Sequence, residues 1–510
     1  MKFEQEKVKI VTPKCFFEDS VTQSVDEQLN LPDYCSDIKR ILKCSLTPDV
    51  VSVQISGDRV NVRGSLLIRL LYVNDDEKID CFDKTAEFTK YTDVKNMPEN
   101  ACAYAAAEVE YVNCRAESQR RAAVSASVAV NIKIFGAKES ELPVIHDSAD
   151  FQTLTHCVKA VSGTVTGEKT FDLSETIELS ETEKPIGKIV SRTAVALIES
   201  VKAVTGKLLI KGELKLEIVY CEDSDERGLV SRRHDMPISQ IVELPGLTED
   251  GMNNVRLFVR SLILEPKTDA SGKCRLLEAA AKVSAVVCST VESDVTVISD
   301  CYCTECETES EYRELDFLSL AQTLEKNDSI SRTVELPCTK IGSVLDARAV
   351  KCSAEPILDE KGLLIKATAA VDVIFTDEEG RLQTAQRSVD FDIEESLKKP
   401  CEKIRCHPVL TVTGVKCEAE AENKAKLTMS FYIMADVFAV TSERVLVSVK
   451  PDEEKKKPKK DCTIAVCYCK KGESLWSIAK KYNTVLSGIK EENGIETDTV
   501  NEDRMIMIPC

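Results

Sequence analysis

Aromatic residues are scarce in this sequence: Phe, Trp and Tyr together make 5% of 510 residues, with a single Trp, and His occurs four times. The four histidines are scattered at 146, 156, 234 and 407, and no His-Glu-x-x-His or Gly-x-Ser-x-Gly motif exists. The usual local signatures of a zinc hydrolase or a serine hydrolase are therefore missing. Apolar runs never exceed strand length, so no segment is expected to span a membrane. The amino terminus, Met1-Lys2-Phe3-Glu4-Gln5-Glu6-Lys7, is charged with no apolar run behind it, and is expected to carry no export signal. Positive charge is also in deficit. Sixty-seven basic residues face 86 acidic ones, a net charge of −19, which argues against a general nucleic-acid binder.

What is present is a normal globular mixture, 43% hydrophobic and 30% charged, in a chain long enough for three or four domains of about 150 residues. Three stretches share one pattern: Val60–Tyr72, Leu208–Tyr220 and Leu363–Phe375. Each has a basic residue before a small one (Gly64, Gly212, Ala367), then alternating apolar positions, then an aromatic. The anchors are 148 and 155 residues apart, which indicates three copies of one domain. Echoes follow each anchor. A polar hairpin segment comes at Asn74–Glu77, Glu222–Glu226 and Asp377–Gly380. Next comes a short apolar strand near Phe88, Ile238 and Val389. Each copy closes with alternation over Ala122–Phe135, Leu276–Val287 and Leu427–Ala439. Period-two alternation of this kind gives half-buried strands. The fold class expected is mainly β: three β-rich repeats, antiparallel sandwich or barrel-like, plus a small βααβ unit at the C-terminus.

The segment Pro451–Lys460 is charged throughout apart from its two prolines, and is expected to be a solvated tether. Beyond it, Ile464–Cys469 reads as a strand. Gly472 permits a tight turn, Ser474 is a candidate N-cap, and Leu475, Ile478, Ala479 and Tyr482 form one helical face. A second helix over Val485–Glu492 turns Ile489 inward, Asn493-Gly494 ends it, and Met505–Pro509 is the last strand. Gly472-Glu473-Ser474-Leu475-Trp476-Ser477-Ile478-Ala479, Tyr482, Asn493-Gly494-Ile495 and Ile506-Met507-Ile508-Pro509 together resemble a LysM domain. That family binds N-acetylglucosamine-containing glycans, chiefly peptidoglycan. The resemblance implies a shallow sugar site with Gly472, Glu473, Ser474 and Leu475 on one side and Asn493, Gly494 and Ile495 on the other. Backbone polar groups would meet the acetamido group there, and apolar side chains its methyl. Trp476 reads instead as a core residue. The sequence departs from the family at Glu473, Cys467, Cys469 and Asp503.

The expected layout is repeat 1 with its N-terminal segment over 1–150, repeat 2 over 160–310, repeat 3 over 320–448, a charged linker over 449–461 and LysM over 462–510. This layout resembles the SipL-type coat-assembly proteins of spore-forming clostridia. Repeat 3 departs from the shared anchor at Ala367 and Ala369. The resemblance implies a non-enzymatic scaffold in the mother-cell cytoplasm at the forespore surface and spore coat. Its implied partners are peptidoglycan or a related glycan, a SpoIVA-type coat ATPase and other coat proteins. No catalytic residue, metal or cofactor is expected. The alternative is a cell-wall hydrolase tethered by LysM. Its best candidate nucleophile is Cys35 in Asp33-Tyr34-Cys35-Ser36, with His146 and His156 downstream, but no Gly-rich helix start follows to activate the thiol.

The 22 Cys amount to about 4.3% of the chain, below the roughly 8–10% of disulfide scaffolds. In a reducing compartment they read as thiols, many of them small hydrophobes in strands, as at Cys221 and Cys288. Cys301-Tyr302-Cys303-Thr304-Glu305-Cys306 is the densest cluster. It is read as a flexible loop of thiols. A metal site would need four ligands and no His lies near in sequence. Intermolecular disulfides after cell lysis are the third reading, with Cys462, Cys467, Cys469 and Cys510 as further participants.

Overall fold

The computed structural model describes residues 6–95, 97, 101–145, 150–223, 229–359, 362–457 and 462–509. Repeat 1 consists of β1 (Glu6–Asn30), β2 (Arg40–Ser56), β3 (Arg59–Val73), β4 (Ile79–Asp93), β5 (Cys102–Ser118) and β6 (Arg121–Val144). Repeat 2 consists of β7 (Phe151–Glu178), β8 (Ile186–Val204), β9 (Lys207–Glu222), β10 (Leu229–Glu243), β11 (Met252–Thr268) and β12 (Cys274–Cys303). Repeat 3 consists of β13 (Cys306–Glu335), β14 (Ile341–Asp359), β15 (Gly362–Asp377), β16 (Leu382–Glu395), β17 (Ile404–Cys406), β18 (Val409–Ala421) and β19 (Lys424–Lys456).

Each repeat holds two antiparallel sheets. One is a meander, β2-β3-β4, β8-β9-β10 or β14-β15-β16. The other joins the first and last strands, β1-β6-β5, β7-β12-β11 or β13-β19, where β17 and β18 both pair with β19. The interruption between β17 and β18 falls at Pro408, which has no N–H to give the ladder. In each repeat the two sheets share one core, so each is a sandwich. In repeat 1, Leu66 and Ile68 of β3 face Val124, Val128 and Val130 of β6. The alternating pattern of β3 explains this, since every second residue is buried until the run becomes wholly apolar at Leu70–Val73.

The small anchor residue has a local cause. Gly64 sits opposite Phe88 and Val50, and Gly212 opposite Ile238 and Ile198, directly beside bulges in β2 and β8. A Cβ on Gly64 would lie 2.1 Å from the Phe88 ring, and on Gly212 2.1 Å from the Leu197 carbonyl oxygen. In β14 the nearest bulge has moved to Ala349/Lys351, and Ala367 faces Ala354, so a methyl fits. The polar hairpins share a device as well. Asn74 Oδ1 accepts from Asp76 and Lys78 N–H, and Asp377 Oδ1 from Glu379 and Arg381 N–H. In repeat 2, residues 224–228 of that hairpin lie outside the described residues.

Each repeat touches the other two. Arg69 Nη1 donates to Val190 O at 3.0 Å, Asn254 Nδ2 to Asp436 at 2.6 Å, and Thr384 Oγ1 to Leu42 O at 2.9 Å. Equivalent residues meet at the junction. Leu71, Val219 and Ile374, each seven residues past its anchor, pack in one apolar cluster. The bulge residues Leu42, Val190 and Leu345 join them. The long outer strands make a second junction: Leu142, Val158, Ala160, Val297, Phe317 and Val445 form one cluster drawn from all three repeats. The repeats therefore close into a triangle.

The first part of the segment expected to be a solvated tether, Pro451 to Lys456, is strand instead. β19 runs to Lys456, with Pro451 opposite Thr308 and Asp452 opposite Glu307. Lys455 lies 3.2 Å from Asp452 and 4.0 Å from Glu307, so the lysine-rich stretch is held against the acidic start of β13. Residues 458–461 lie outside the described residues.

Candidate functional site

The C-terminal unit is β20 (Ile464–Cys469), α1 (Leu475–Lys481), α2 (Leu486–Asn493) and β21 (Arg504–Pro509), with β20 and β21 paired. Leu475, Ile478, Ala479, Ile489, Val500, Ile506 and Ile508 form its core. Gly472 turns the chain into α1 at φ +88°, and Gly494 ends α2 in the left-handed conformation at φ +59°. Ser474 stands at the N-cap position, but its hydroxyl makes no capping hydrogen bond. That end of α1 is fastened by the backbone instead, Leu475 N–H donating to Asp498 O at 2.9 Å.

The turn expected to form one side of a sugar site is bonded to residues 498–500, further along the chain than the expected opposite side at 493–495. Gly472 N–H donates to Val500 O at 2.8 Å, Val500 N–H returns to Glu473 O at 2.9 Å, and Ser474 bridges to Thr499. Gly472, Glu473 and Gly494 are exposed, Ser474 and Asn493 half-buried, and Leu475 and Ile495 buried. Leu475 and Ile495 both belong to the buried core of the unit. The Asn493 amide is engaged with backbone: Nδ2 donates to Ile489 O and Met507 O, and Oδ1 accepts from Met507 N–H. Sequence reasoning did not single out Thr497, Asp498 and Thr499, which stand beside this turn and are exposed. Asp503 has a clear use, since its carboxylate accepts from Lys471 N–H at 2.8 Å and fixes the strand–helix turn. Cys469 is buried, and that burial together with Cys467 pushes its thiol up to about 11.

The unit is docked on repeat 2. Trp476 is 6% exposed, as a core residue should be, yet much of its cover comes from outside the unit. Its ring meets Tyr302 edge-on at 4.9 Å between centroids, and its Nε1 donates to Asp300 at 2.9 Å. Lys480 Nζ reaches both Asp300 oxygens at 2.6 and 2.8 Å. Tyr302 OH donates to Thr484 O at 2.8 Å, and Leu486 N–H to Gln152 at 3.3 Å. Burial alone would raise the Asp300 carboxyl, but the bonds from Lys480 and Trp476 outweigh it and hold the group below the ordinary carboxylate range.

A family model described as the SipL SPOCS domain matches residues 37–117 and 185–265, and a LysM domain model matches residues 470–509. The domain set is that of a SipL-type protein with a LysM domain. No curated protein and no solved structure matches the chain. The first SPOCS match runs from the start of β2 through most of β5, and the second from β8 into β11. Repeat 3 carries the same strand order from β14 to β18. SPOCS and LysM are non-catalytic binding domains, and their combination supports a sporulation-related, peptidoglycan-binding protein. No helix among the described residues is long and apolar enough to cross a membrane.

The residues weighed for other chemistry are dispersed. Cys35 is buried, and burial raises its thiol above the ordinary value. His156 lies on β7 of the next repeat, 3.5 Å from Glu443, and His146 lies outside the described residues. Among the described residues no group of three or more His, Cys, Asp or Glu is placed to hold a metal ion. The cluster Cys301–Cys306, expected as a flexible loop, is instead the end of β12 and the start of β13 with a two-residue bend between. Cys301, Cys303 and Cys306 are all buried there, because the bend sits in an apolar cluster with Phe151, Ile298 and Leu446. Cys510 lies outside the described residues.

Proposed function

We propose that this chain is a non-enzymatic scaffold of the spore coat, held at the forespore surface through its LysM domain. The observation that carries the reading is the union of SPOCS domains and a LysM domain in one chain. The scaffold stays in the mother-cell cytoplasm and uses its acidic repeats to receive coat proteins, a SpoIVA-type coat ATPase among them. The LysM domain contacts an N-acetylglucosamine-containing glycan or a coat protein at a rim made of the exposed Gly472, Glu473 and Gly494 with the half-buried Ser474. Leu475 and Ile495 belong to the buried core of the unit, and Asn493 holds the far side of the rim in shape. An acetamido group suits such a site, since it needs backbone polar partners.

The decisive experiment is the position of a fluorescent fusion in sporulating cells, with and without residues 462–510. A ring around the forespore that disappears on truncation supports the scaffold and its anchor. Diffuse signal, or signal in the vegetative wall, overturns it. Sedimentation with insoluble peptidoglycan separates the two ligands: co-sedimentation competed by chitin oligomers favours glycan, and its absence with forespore targeting intact favours protein. Release of soluble muropeptides from the same material would overturn the non-enzymatic reading.

A further inference from the structure

The dithiol at the crossover from repeat 2 to repeat 3 has a geometry that neither the glycan site nor the scaffold role uses. Cys303 is the last residue of β12 and Cys306 the first of β13. Their sulfurs lie 3.0 Å apart, and Cys306 N–H points at the Cys303 sulfur at 3.3 Å. The bend between them is pinned from two sides. Thr304 N–H donates to Asp150 O at 2.9 Å, and Lys457 N–H donates to Glu305 O at 2.8 Å. Lys457 Nζ also donates to Cys303 O and to Asn483 Oδ1 of the LysM domain, each at 2.7 Å. The bend is thus the place where the last strand leaves the triangle and the LysM domain begins.

We infer that Cys303 and Cys306 form a reversible intrachain disulfide by exchange with a low-molecular-weight disulfide such as glutathione disulfide. One protein thiolate attacks a glutathione sulfur, forming a mixed disulfide and releasing one glutathione thiolate. The second protein thiolate then attacks the mixed disulfide at the protein sulfur and releases the other. The protein loses two electrons and two protons, and one glutathione disulfide becomes two glutathione thiols. The Cys306 sulfur lies 3.0 Å from that of Cys303, and the two residues are 3% and 0% exposed, so the second step closes within the chain. Entry of the oxidant requires the bend at Thr304-Glu305 to open. Exchange is therefore slower than at the exposed Cys157 and Cys462.

The test uses the full chain equilibrated in glutathione buffers of graded ratio, acid-quenched, alkylated in denaturant and mapped by mass spectrometry of its peptides. The expected result is loss of two alkylatable thiols at 303 and 306 together, with a Cys303–Cys306 linkage reversed by dithiothreitol. Adding Cys303→Ala with Cys306→Val, which keeps the cluster apolar, abolishes that linkage while the far-UV spectrum is unchanged. If that variant fails to fold, the wild-type map decides alone. Both thiols staying alkylatable in the most oxidising buffer overturns the inference. So does linkage of either to Cys301 or to another chain, or one equivalent of zinc bound through the pair in the purified protein.

Discussion

Asp300 and Trp476 are 176 residues apart in sequence and 2.9 Å apart in space. Asp300 also takes Lys480 and the hydroxyl of Tyr312 at 3.1 Å, so one carboxylate fastens the LysM domain to the triangle. Replacing it by Asn leaves Lys480 without its charge partner, with an expected loss of about 1–3 kcal/mol from the docked state. Amide exchange in α1 should then rise while exchange in β3 and β9 stays unchanged. Because the folded carboxyl is held below its ordinary value, its stabilisation is complete above the unfolded value of about 4. The stabilisation is lost as pH falls through the depressed folded value. A pH titration of α1 exchange should show docking constant at neutral pH and failing only in strong acid, and Asp300→Asn should flatten that dependence. At this scale the sequence was partly legible. Leu475, Ile478, Ala479 and Ile489 declared themselves by spacing, because a helix face is a local pattern. Asp300 did not, because its partners come from a different domain and leave no periodicity. Trp476 was readable as buried, but not what buries it.

The strand pairs carry a sharper test, since one anchor position occurs in three environments. Gly212→Ala drives a methyl to 2.1 Å from a backbone carbonyl oxygen that cannot rotate away, and Gly64→Ala drives one into the Phe88 ring and to 2.7 Å from the Asp49 carbonyl oxygen. Overpacking of this kind costs about 1–3 kcal/mol, and the Gly212 change should be the worse of the two by chemical denaturation. Ala367→Gly should cost only about 0.5–1 kcal/mol, through backbone entropy. Equal losses at Gly64, Gly212 and Ala367 would contradict the link between bulge position and anchor size. The three anchors and their spacing were visible in the sequence because β3, β9 and β15 alternate so regularly. The Ala at 367 looked like a departure from the pattern and proves to follow from a moved bulge. Bulges are invisible to a period-two reading, because the extra residue shifts the pairing without changing the apolar composition of the strand. The same holds for Pro451–Lys456: composition alone made it solvent, and the acidic edge of β13 made it strand.

For the whole molecule, three sandwiches share two common clusters, so none can unfold without exposing apolar surface of the other two. Calorimetry should give one main transition for residues 6–457, not three. Replacing Leu71, Val219 or Ile374 by Asp should lower that transition as a unit. Three resolved transitions would mean the triangle does not hold the repeats together. The triangle was not legible in the sequence: repeat count follows from self-similarity, but the way copies close on each other depends on side chains that differ between them. Lys43 pairs with Asp372 and Arg69 with Asp83, so the charged contacts at the junction are unequal even where the backbones match. Closing three copies within one chain, with one LysM domain among them, also sets a valency. In the proposed scaffold the matched LysM domain offers one glycan contact for three sandwiches, so retention on insoluble peptidoglycan should rise steeply with the surface density of bound chains.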